Sequence, residues 1–293
     1  MADFQAGILA ALPTQSKYLF FRAIPNVDPV PVLQELRKTV DGERVVLGIG
    51  EPLLSSLGKN LPGMKPYPEW VGVGVTAPST PYDLMFWLRG GDQGDLFHLA
   101  RSIGKTASSA FTLELSLDAF KHGSGRDLTG YEDGTENPKR KAANAAAFVH
   151  GAGAGLDGGS FLALQQWRHD FDAFASMSAT EQDQSIGRHK KDNAEMANAP
   201  ASSHVKRTEQ ESFDPAAFVL RRSMPWTGPQ GGGLVFAAFG NSFAAFEAQF
   251  KRMLGLEDGI VDALFRFTKP VTGSYFWCPP MEGKRLDLRA IAD

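Results

Sequence analysis

The sequence contains almost no cysteine, since Cys278 is the only one among 293 residues. A single thiol excludes an internal disulfide, a cysteine-based zinc or iron-sulfur site and a Cys-x-x-Cys-His cofactor-attachment motif. The N-terminus carries Asp3 where a secretory signal would be basic, and the apolar run that follows is short. We therefore expect a protein of a reducing compartment, located in the cytoplasm.

The sequence also lacks a charge excess and long apolar runs. It has 30 Lys and Arg against 33 Asp and Glu, a net charge of -3, so we expect no nucleic-acid partner. No stretch approaches the roughly 20 apolar residues that span a bilayer, so we expect no membrane span. The Gly-x-Gly-x-x-Gly sequence at 153–158 precedes a strand-like segment instead of a helix, which favours a loop over a dinucleotide site.

The hydrophobic periodicity predicts the order β-α-β-β-α-β twice along the chain. Ser178 and Glu181 form a capping box at the start of one helix, and Asn241 is predicted to cap another that Gly255 ends. The predicted strands are 17–24, 44–50, 83–88, 111–118, 160–167, 204–207, 218–223, 234–239 and 271–277, and the main predicted helices start near 29, 95, 178 and 241.

This order predicts an α+β fold of two ferredoxin-like halves with antiparallel sheets, of the dimeric α/β-barrel type. The length agrees, because roughly 150 residues per domain allows two domains or one duplicated unit. The polar and glycine-rich stretch 121–159 separates the halves. We therefore predict an N-terminal half, 1–140, and a C-terminal half, 141–293, with exposed sheet edges that favour a homo-oligomer.

Three segments are candidate sites on their residues alone. Residues 130–138 (GYEDGTENP) are dense in turn-forming and acidic residues, which suits either a ligand loop or a surface turn. His204 is a candidate metal ligand, although a lone histidine is more often structural. In the strand 218–223, alternation places Arg221 and Ser223 on one face and Arg222 on the other, and an inward-facing arginine requires an anion.

Four segments together resemble the dye-decolourising peroxidase family, in particular its compact bacterial B-type-like members. They are 130–138 (GYEDGTENP), 203–207 (SHVKR), 220–225 (LRRSMP) and 270–276 (PVTGSYF). The resemblance implies non-covalent haem b with His204 as the proximal iron ligand. It further implies Asp133, Arg221 and Ser223 as the distal catalytic residues, and the family pattern Arg-x-Ser selects Arg221 over Arg222.

Further cofactor contacts are implied with the resemblance. Arg207 is the predicted contact of a haem propionate, and Asp262 is the predicted acceptor for the proximal imidazole N–H. Leu234 and Phe236, two apart on one strand, are predicted to form an apolar distal wall, although core packing also explains them.

The implied activity is a haem peroxidase that reduces hydrogen peroxide and oxidises dye-like or phenolic small molecules by one-electron steps. An alternative keeps the haem but makes the protein a haem-handling or haem-sensing binder without significant turnover. A third hypothesis, a cofactor-free interaction module, depends only on the glycine-rich loops.

Overall fold

The computed structural model describes residues 3–229 and 231–291. The strands are β1 Gln15–Ala23, β2 Val45–Gly50, β3 Trp70–Val71, β4 Thr76–Ala77, β5 Leu84–Gly90, β6 Phe111–Phe120, β7 Ser160–His169, β8 Leu220–Arg221, β9 Met224–Gly228, β10 Gly231–Gly240, β11 Thr268–Pro270, β12 Ser274–Cys278, β13 Met281–Glu282 and β14 Arg285–Leu286. The α-helices are α1 Val30–Thr39, α2 Glu51–Ser56, α3 Gln93–Ala107, α4 Lys141–Ala147, α5 Phe171–Ser176, α6 Ala179–Ile186, α7 His204–Arg207 and α8 Ala244–Met253, with short 3₁₀ helices at Ala6–Ile8, Gln210–Ser212 and Ala263–Arg266.

Eight strands close into a barrel in which every neighbouring pair is antiparallel. The order around the barrel is β7, β12, β2, β5, β1, β6, β9 and β10, and β10 pairs with β7 to complete the ring. β8 pairs with β10 and β11 pairs with β7, which extends the sheet at two places. Closure leaves the barrel strands paired on both sides, so the exposed edges expected from the sequence are largely removed.

The same strand order occurs twice around this barrel. The four N-terminal strands lie in the spatial order β2, β5, β1, β6, which is second, third, first and fourth along the chain. The four C-terminal strands lie in the order β9, β10, β7, β12, which is again second, third, first and fourth. The two sets meet where Phe276 of β12 lies opposite Gly50 of β2, and where Ala119 of β6 lies opposite Trp226 of β9. The predicted α+β class with two ferredoxin-like halves is confirmed. Their division after residue 140 stays a prediction.

Strand alternation produces two hydrophobic cores. Tyr18 and Phe20 of β1 belong to a cluster that receives buried side chains from all eight barrel strands, which is the barrel interior. Leu19 and Phe21 belong to a second cluster that includes buried side chains of α1, α3 and α8, so they lie between the barrel and its helices. Cys278 packs in the barrel interior, where burial raises the pKa of its thiol.

The helices are short. The longest helix within the described residues is α3, which has 15 residues. No helix within 3–229 and 231–291 has the length and apolar character to cross a bilayer. The capping box is observed, because Ser178 accepts from the Glu181 N–H while Glu181 accepts from the Ser178 N–H. Asn241 does not cap α8 as predicted; its side chain donates to the Ala145 carbonyl instead.

The prediction of a strand at 204–207 is wrong, because these residues form the single-turn helix α7. Arg207 N–H donates to the Ser203 carbonyl and Thr208 N–H donates to the His204 carbonyl. One helical turn is too short to show the 3.6-residue period of a helix. The β-branched Val205 therefore favoured a strand in the sequence-based prediction. The predicted strand 218–223 is also shorter than expected, since only Leu220 and Arg221 pair with β10.

Candidate active site

A cleft of about 920 Å³, counting the space at its mouth, lies between the C-terminal strands and their helices. We call it the central cavity. Most of its wall is apolar, with a small number of charged and polar side chains, which is the usual composition of a small-molecule or cofactor site. It is lined by Asp127, Thr129, Tyr131, Glu132, Asp133, Gln165, Trp167, His169, Ile186, His204, Thr208, Val219, Arg221, Leu234, Phe236, Phe246, Gln249, Phe250, Met253, Leu264, Phe267 and Thr268.

His204 and Asp262 form a histidine–carboxylate pair on this cavity. The His204 Nδ1 atom lies 2.8 Å from Asp262 Oδ2, and the Asp262 side chain is fully buried. The other carboxylate oxygen, Oδ1, accepts from the Leu264 N–H at 2.9 Å and so caps the 3₁₀ helix Ala263–Arg266. Among the described residues Nε2 of His204 has no hydrogen-bond partner. Because a carboxylate accepts, the hydrogen lies on Nδ1 and the Nε2 lone pair is available to a metal.

The two segments of this pair are joined through the backbone. The Ala263 N–H donates to the Ser202 carbonyl at 2.8 Å, which holds the start of α7 beside the 3₁₀ helix. His204 is the first residue of α7, so its ring is fixed by both the helical turn and the Asp262 bond. The imidazole is therefore oriented before any ligand binds.

Asp133 and Arg221 are two further ionisable side chains on the cavity wall. Both are half-buried, and neither side chain makes a hydrogen bond or ion pair to the described residues. Asp133 lies in a loop whose flanking glycines, Gly130 and Gly134, have φ of 91° and 75°, the left-handed region that favours glycine. The arrangement presents an unpaired carboxylate and an unpaired guanidinium to the same space.

Asn137 fixes this loop to the strand that carries Arg221. Its Oδ1 atom accepts from the Arg221 N–H at 2.7 Å, and its Nδ2 donates to the Arg221 carbonyl at 3.0 Å. Gln210, which is buried, adds a second connection, because it donates to the Glu136 carbonyl and accepts from the Val219 N–H. The relative positions of Asp133 and Arg221 therefore depend on these two amide side chains.

Leu234 and Phe236 lie on the cavity wall, where the sequence placed an apolar surface. Both are in β10, opposite Trp167 and Gln165 of β7. Phe236 also packs against Phe246 of α8, with ring centroids 6.2 Å apart. Alternation along β10 therefore directs these two side chains to the cavity and their neighbours to the barrel interior.

Arg207 and Ser223 are not on the cavity, although the resemblance predicted both for the site. Arg207 is 4% exposed, and its guanidinium donates to both Asp258 oxygens at 2.8 and 2.7 Å and to the Arg252 carbonyl. Asp258 is therefore the ion-pair partner of Arg207, and the contact with a haem propionate stays a prediction. Ser223 is 5% exposed, and its hydroxyl has no partner among the described residues.

Arg222 is directed away from the cavity, as the alternation predicted. Its guanidinium donates to the Ile8 and Leu9 carbonyls at 2.8 and 2.9 Å. Burial lowers the pKa of Arg222 to about 10. Backbone carbonyls, and not the anion predicted for an inward-facing arginine, compensate this buried cation.

Sequence reasoning did not identify three cavity residues that are engaged in specific pairs. His169 Nε2 lies 2.9 Å from Asp127 Oδ2, and Tyr131 donates its hydroxyl hydrogen to Asp183 Oδ1 at 2.5 Å. Asp127 lies just before the 130–138 segment, and Tyr131 belongs to it. The density of polar residues in this part of the sequence was therefore the signal that could have indicated both. Within the part of the chain that the structure describes, no cluster of three or more His, Cys, Asp or Glu residues is positioned to hold a bare metal ion.

Comparison with known proteins agrees with this geometry. The family model described as "Dyp-type peroxidase, C-terminal" matches residues 124–283. A dye-decolorizing peroxidase of Mycobacterium tuberculosis is 31% identical over 291 residues, covering 96% of this chain and 83% of the relative. The chain is also similar to two solved structures: a dye-decolorizing protein from V. cholerae (TM-score 0.83, 28% identity, 93% and 96% of the two chains) and a Rhodococcus jostii RHA1 DypB variant in complex with haem (TM-score 0.86, 27% identity, 94% and 96%). The chain therefore belongs to the family of Dyp-type peroxidases.

Proposed function

We propose that this chain is a haem peroxidase that reduces hydrogen peroxide and oxidises dye-like or phenolic molecules one electron at a time. The observation that carries the proposal is the shared cavity of His204, Asp133 and Arg221, with the His204 Nδ1 atom held 2.8 Å from buried Asp262. One imidazole with a free Nε2 and two unpaired charges are the groups that peroxide chemistry requires.

The residues that line the cavity suit non-covalent haem b. Its aromatic and aliphatic wall, including Trp167, Phe236 and Phe250, matches a flat apolar macrocycle, and the single cysteine leaves no covalent attachment. His204 would hold the iron through Nε2, while Asp262 would keep the imidazole in the ligating tautomer. When bound, the haem supplies the iron centre at which the peroxide O–O bond is cleaved.

The charged residues would then manage the proton and the negative charge. Asp133, which has no competing partner among the described residues, would take a proton from one oxygen of hydrogen peroxide and deliver it to the other. Arg221 would stabilise the negative charge that develops on the departing oxygen. Asn137 would hold the two residues at a fixed separation through its two bonds to the Arg221 backbone.

The experiment that tests the proposal separates haem binding from peroxide chemistry. The purified chain, supplied with haem, should show a Soret band that changes rapidly when peroxide is added. Asp133→Asn and Arg221→Leu should retain the Soret band but slow the peroxide step, by about 10²- to 10⁴-fold for the proton-transfer residue. Asp118→Asn removes an exposed carboxylate on β6 and should leave the rate unchanged.

Two outcomes would contradict the proposal. A chain that does not take up haem cannot be a haem peroxidase, and a haem-bound chain with no turnover of phenolic or dye substrates would instead be a haem-handling binder. Assembly into a homo-oligomer and a cytoplasmic location stay predictions, of which light scattering on the purified protein tests the first.

A further inference from the structure

The described residues that line the central cavity all lie between Asp127 and Thr268, in the C-terminal part of the chain. One of them, Arg221, is nevertheless connected to the first residues of the chain. The connection runs through the next residue, Arg222, whose side chain is directed away from the cavity and contacts the backbone near the N-terminus. We call residues 5–11 the N-terminal strap.

The N-terminal strap is fixed to β2 and to the residues just before it. Gln5, which is fully buried, donates from its side chain to the Leu47 carbonyl at 2.9 Å and accepts from the Leu47 N–H at 2.8 Å. The Gly7 N–H donates to the Gly42 carbonyl at 2.8 Å. Ile8 is 1% exposed and packs in the barrel interior. The strap therefore has a defined position on the barrel, which makes it a support for other groups.

Arg222 joins this strap to the backbone of Arg221. Its Nε and Nη2 atoms donate to the Ile8 and Leu9 carbonyls at 2.8 and 2.9 Å. These two carbonyls lie at the end of the 3₁₀ helix Ala6–Ile8, where carbonyl groups lack a partner within the helix. The third nitrogen, Nη1, donates to the Arg221 carbonyl at 3.3 Å. One guanidinium therefore holds three carbonyl oxygens, and one of them belongs to Arg221.

The strand that carries Arg221 is too short to fix the direction of this side chain alone. In β8 only Leu220 and Arg221 pair with β10, and the Arg222 N–H adds one bond to the Ala237 carbonyl at 2.8 Å. The Arg221 N–H and carbonyl are bonded to Asn137 instead of β10. Because successive side chains of an extended chain point to opposite faces, anchoring Arg222 on one face fixes the direction of Arg221 on the other.

We propose that Arg222 is a positioning residue for Arg221, and that through the N-terminal strap it sets the direction in which the Arg221 guanidinium enters the central cavity. This inference depends on the proposed peroxidase function, which gives Arg221 its role towards peroxide. It also gives the strap, which does not line the cavity, a part in that chemistry. Arg222 acts only through its neighbour.

Arg89 provides a matched control, because it holds the same strap without a bond to β8. It is 9% exposed, and its guanidinium donates to the Glu43 carbonyl at 2.8 Å and to the Ala11 carbonyl of the strap at 2.6 Å. Arg89 and Arg222 therefore both use a guanidinium to hold backbone carbonyls of the strap. Loss of either one weakens the attachment of the strap, but only loss of Arg222 releases the Arg221 backbone.

The rate of the peroxide reaction in haem-loaded variants tests the proposal. Arg222→Met keeps an unbranched side chain but removes the donors, and it should slow the peroxide step by up to about 10²-fold, the cost of displacing a catalytic group by about 1 Å. Arg222→Lys keeps a cation for the strap carbonyls and should recover part of the rate. Arg89→Met should react at the wild-type rate. Arg222→Lys and Arg89→Lys give the same comparison if the neutral variants do not fold.

A double-mutant cycle separates positioning from a general loss of stability. Because Arg222 acts through Arg221, adding Arg222→Met to Arg221→Leu should slow the peroxide step no further. Additive effects of the two substitutions would overturn the proposal. Equal slowing in Arg89→Met and Arg222→Met would overturn it as well, since both variants weaken the strap.

Fluoride binding gives a readout that needs no turnover. A small anion on the ferric haem is stabilised by a neighbouring guanidinium, so titration with sodium fluoride, followed by the Soret band, reports the position of Arg221. Arg222→Met should bind fluoride more weakly, in the same direction as Arg221→Leu, while Arg89→Met should bind it as the wild type does. Unchanged fluoride affinity in Arg222→Met would overturn the proposal. A wild type whose Soret band does not respond to peroxide would instead contradict the peroxidase function, and the fluoride comparison would still test the position of Arg221.

Discussion

Two histidines that line the central cavity, His204 and His169, are each paired with an aspartate, and the two pairs differ in how many ring nitrogens the protein occupies. In the pair His204–Asp262 only Nδ1 has a partner, at 2.8 Å. In the pair His169–Asp127, Nε2 lies 2.9 Å from the carboxylate and Nδ1 lies 2.6 Å from Thr268 Oγ1. A ligand needs a free lone pair, so the two pairs, similar in composition, have different uses.

The surrounding structure maintains this difference. His169 is the last residue of β7 and lies opposite Thr268 of β11, and its ring packs against Phe171 and Phe267. The His169 side chain is 5% exposed, whereas the His204 side chain on α7 is 24% exposed. The first pair is part of the packed wall of the cavity, while the second presents an open coordination position to it.

The largest expected effect is on haem retention. His204→Ala should abolish stable haem binding, because it removes the available Nε2 atom. His169→Ala should retain haem at wild-type stoichiometry, since neither of its nitrogens is free. The ratio of Soret to protein absorbance after desalting measures both, and loss of haem from the His169 variant alone would reverse the comparison.

The next effect concerns the carboxylates. Asp262→Asn retains an oxygen that can cap the 3₁₀ helix, but its neutral side chain no longer stabilises the Nδ1 hydrogen of His204. We expect about a 10- to 100-fold loss in haem affinity or activity, the usual cost of removing such a partner. Asp127→Asn should leave haem affinity unchanged. Transfer of haem to apomyoglobin measures the rate at which each variant loses haem. If the Asp262→Asn and Asp127→Asn variants both lose haem at the wild-type rate, neither carboxylate acts on haem binding through its histidine.

Several residues of this site were predictable from the sequence, but their hydrogen-bond partners were not. The order of Asp133, His204 and Arg221 in the resembling segments identified three cavity residues. The partner of His169 is 42 residues away and that of His204 is 58 residues away. Asp262 was found only through the family resemblance. Asp127 was missed because separations of this size carry no local pattern.

The fold was predictable where alternation or a capping motif is long enough to be seen. β6, with its alternating apolar and polar residues, and the capping box of α6 are both observed. The single turn α7 was not predicted, because four residues have no period, and the ion pair of Arg207 with Asp258 was not foreseen because the two residues are distant in sequence. Short elements and long-range ion pairs are decided by tertiary contacts.

A smaller effect is expected on stability in acid. Burial raises the pKa of Asp127, but hydrogen bonds from His169 and Thr129 more than offset it, so the pKa is below its ordinary value. Ionised Asp127 therefore stabilises the folded state above the unfolded-state pKa of about 3.9, and this contribution is lost as the pH falls through the lower folded pKa. Asp127→Asn should lower the free energy of unfolding by about 1–3 kcal/mol near pH 6. Urea titrations should show the difference shrinking below about pH 4, and a difference that is independent of pH would contradict this assignment.

The smallest effect tests whether Thr268 prevents His169 from acting as a ligand. Thr268→Val removes the hydroxyl near Nδ1 and its donation to the Arg168 carbonyl, which should cost about 1 kcal/mol of stability and leave the Soret band unchanged. Asp127 and the flanking Phe171 and Phe267 rings would still hold the imidazole in its place in the wall. For the same reason the double variant His204→Ala with Thr268→Val should remain without haem. Recovery of a Soret band in that double variant would mean that a single hydroxyl separates the two histidines, and that the position of the ring in the cavity matters less than whether one nitrogen is free.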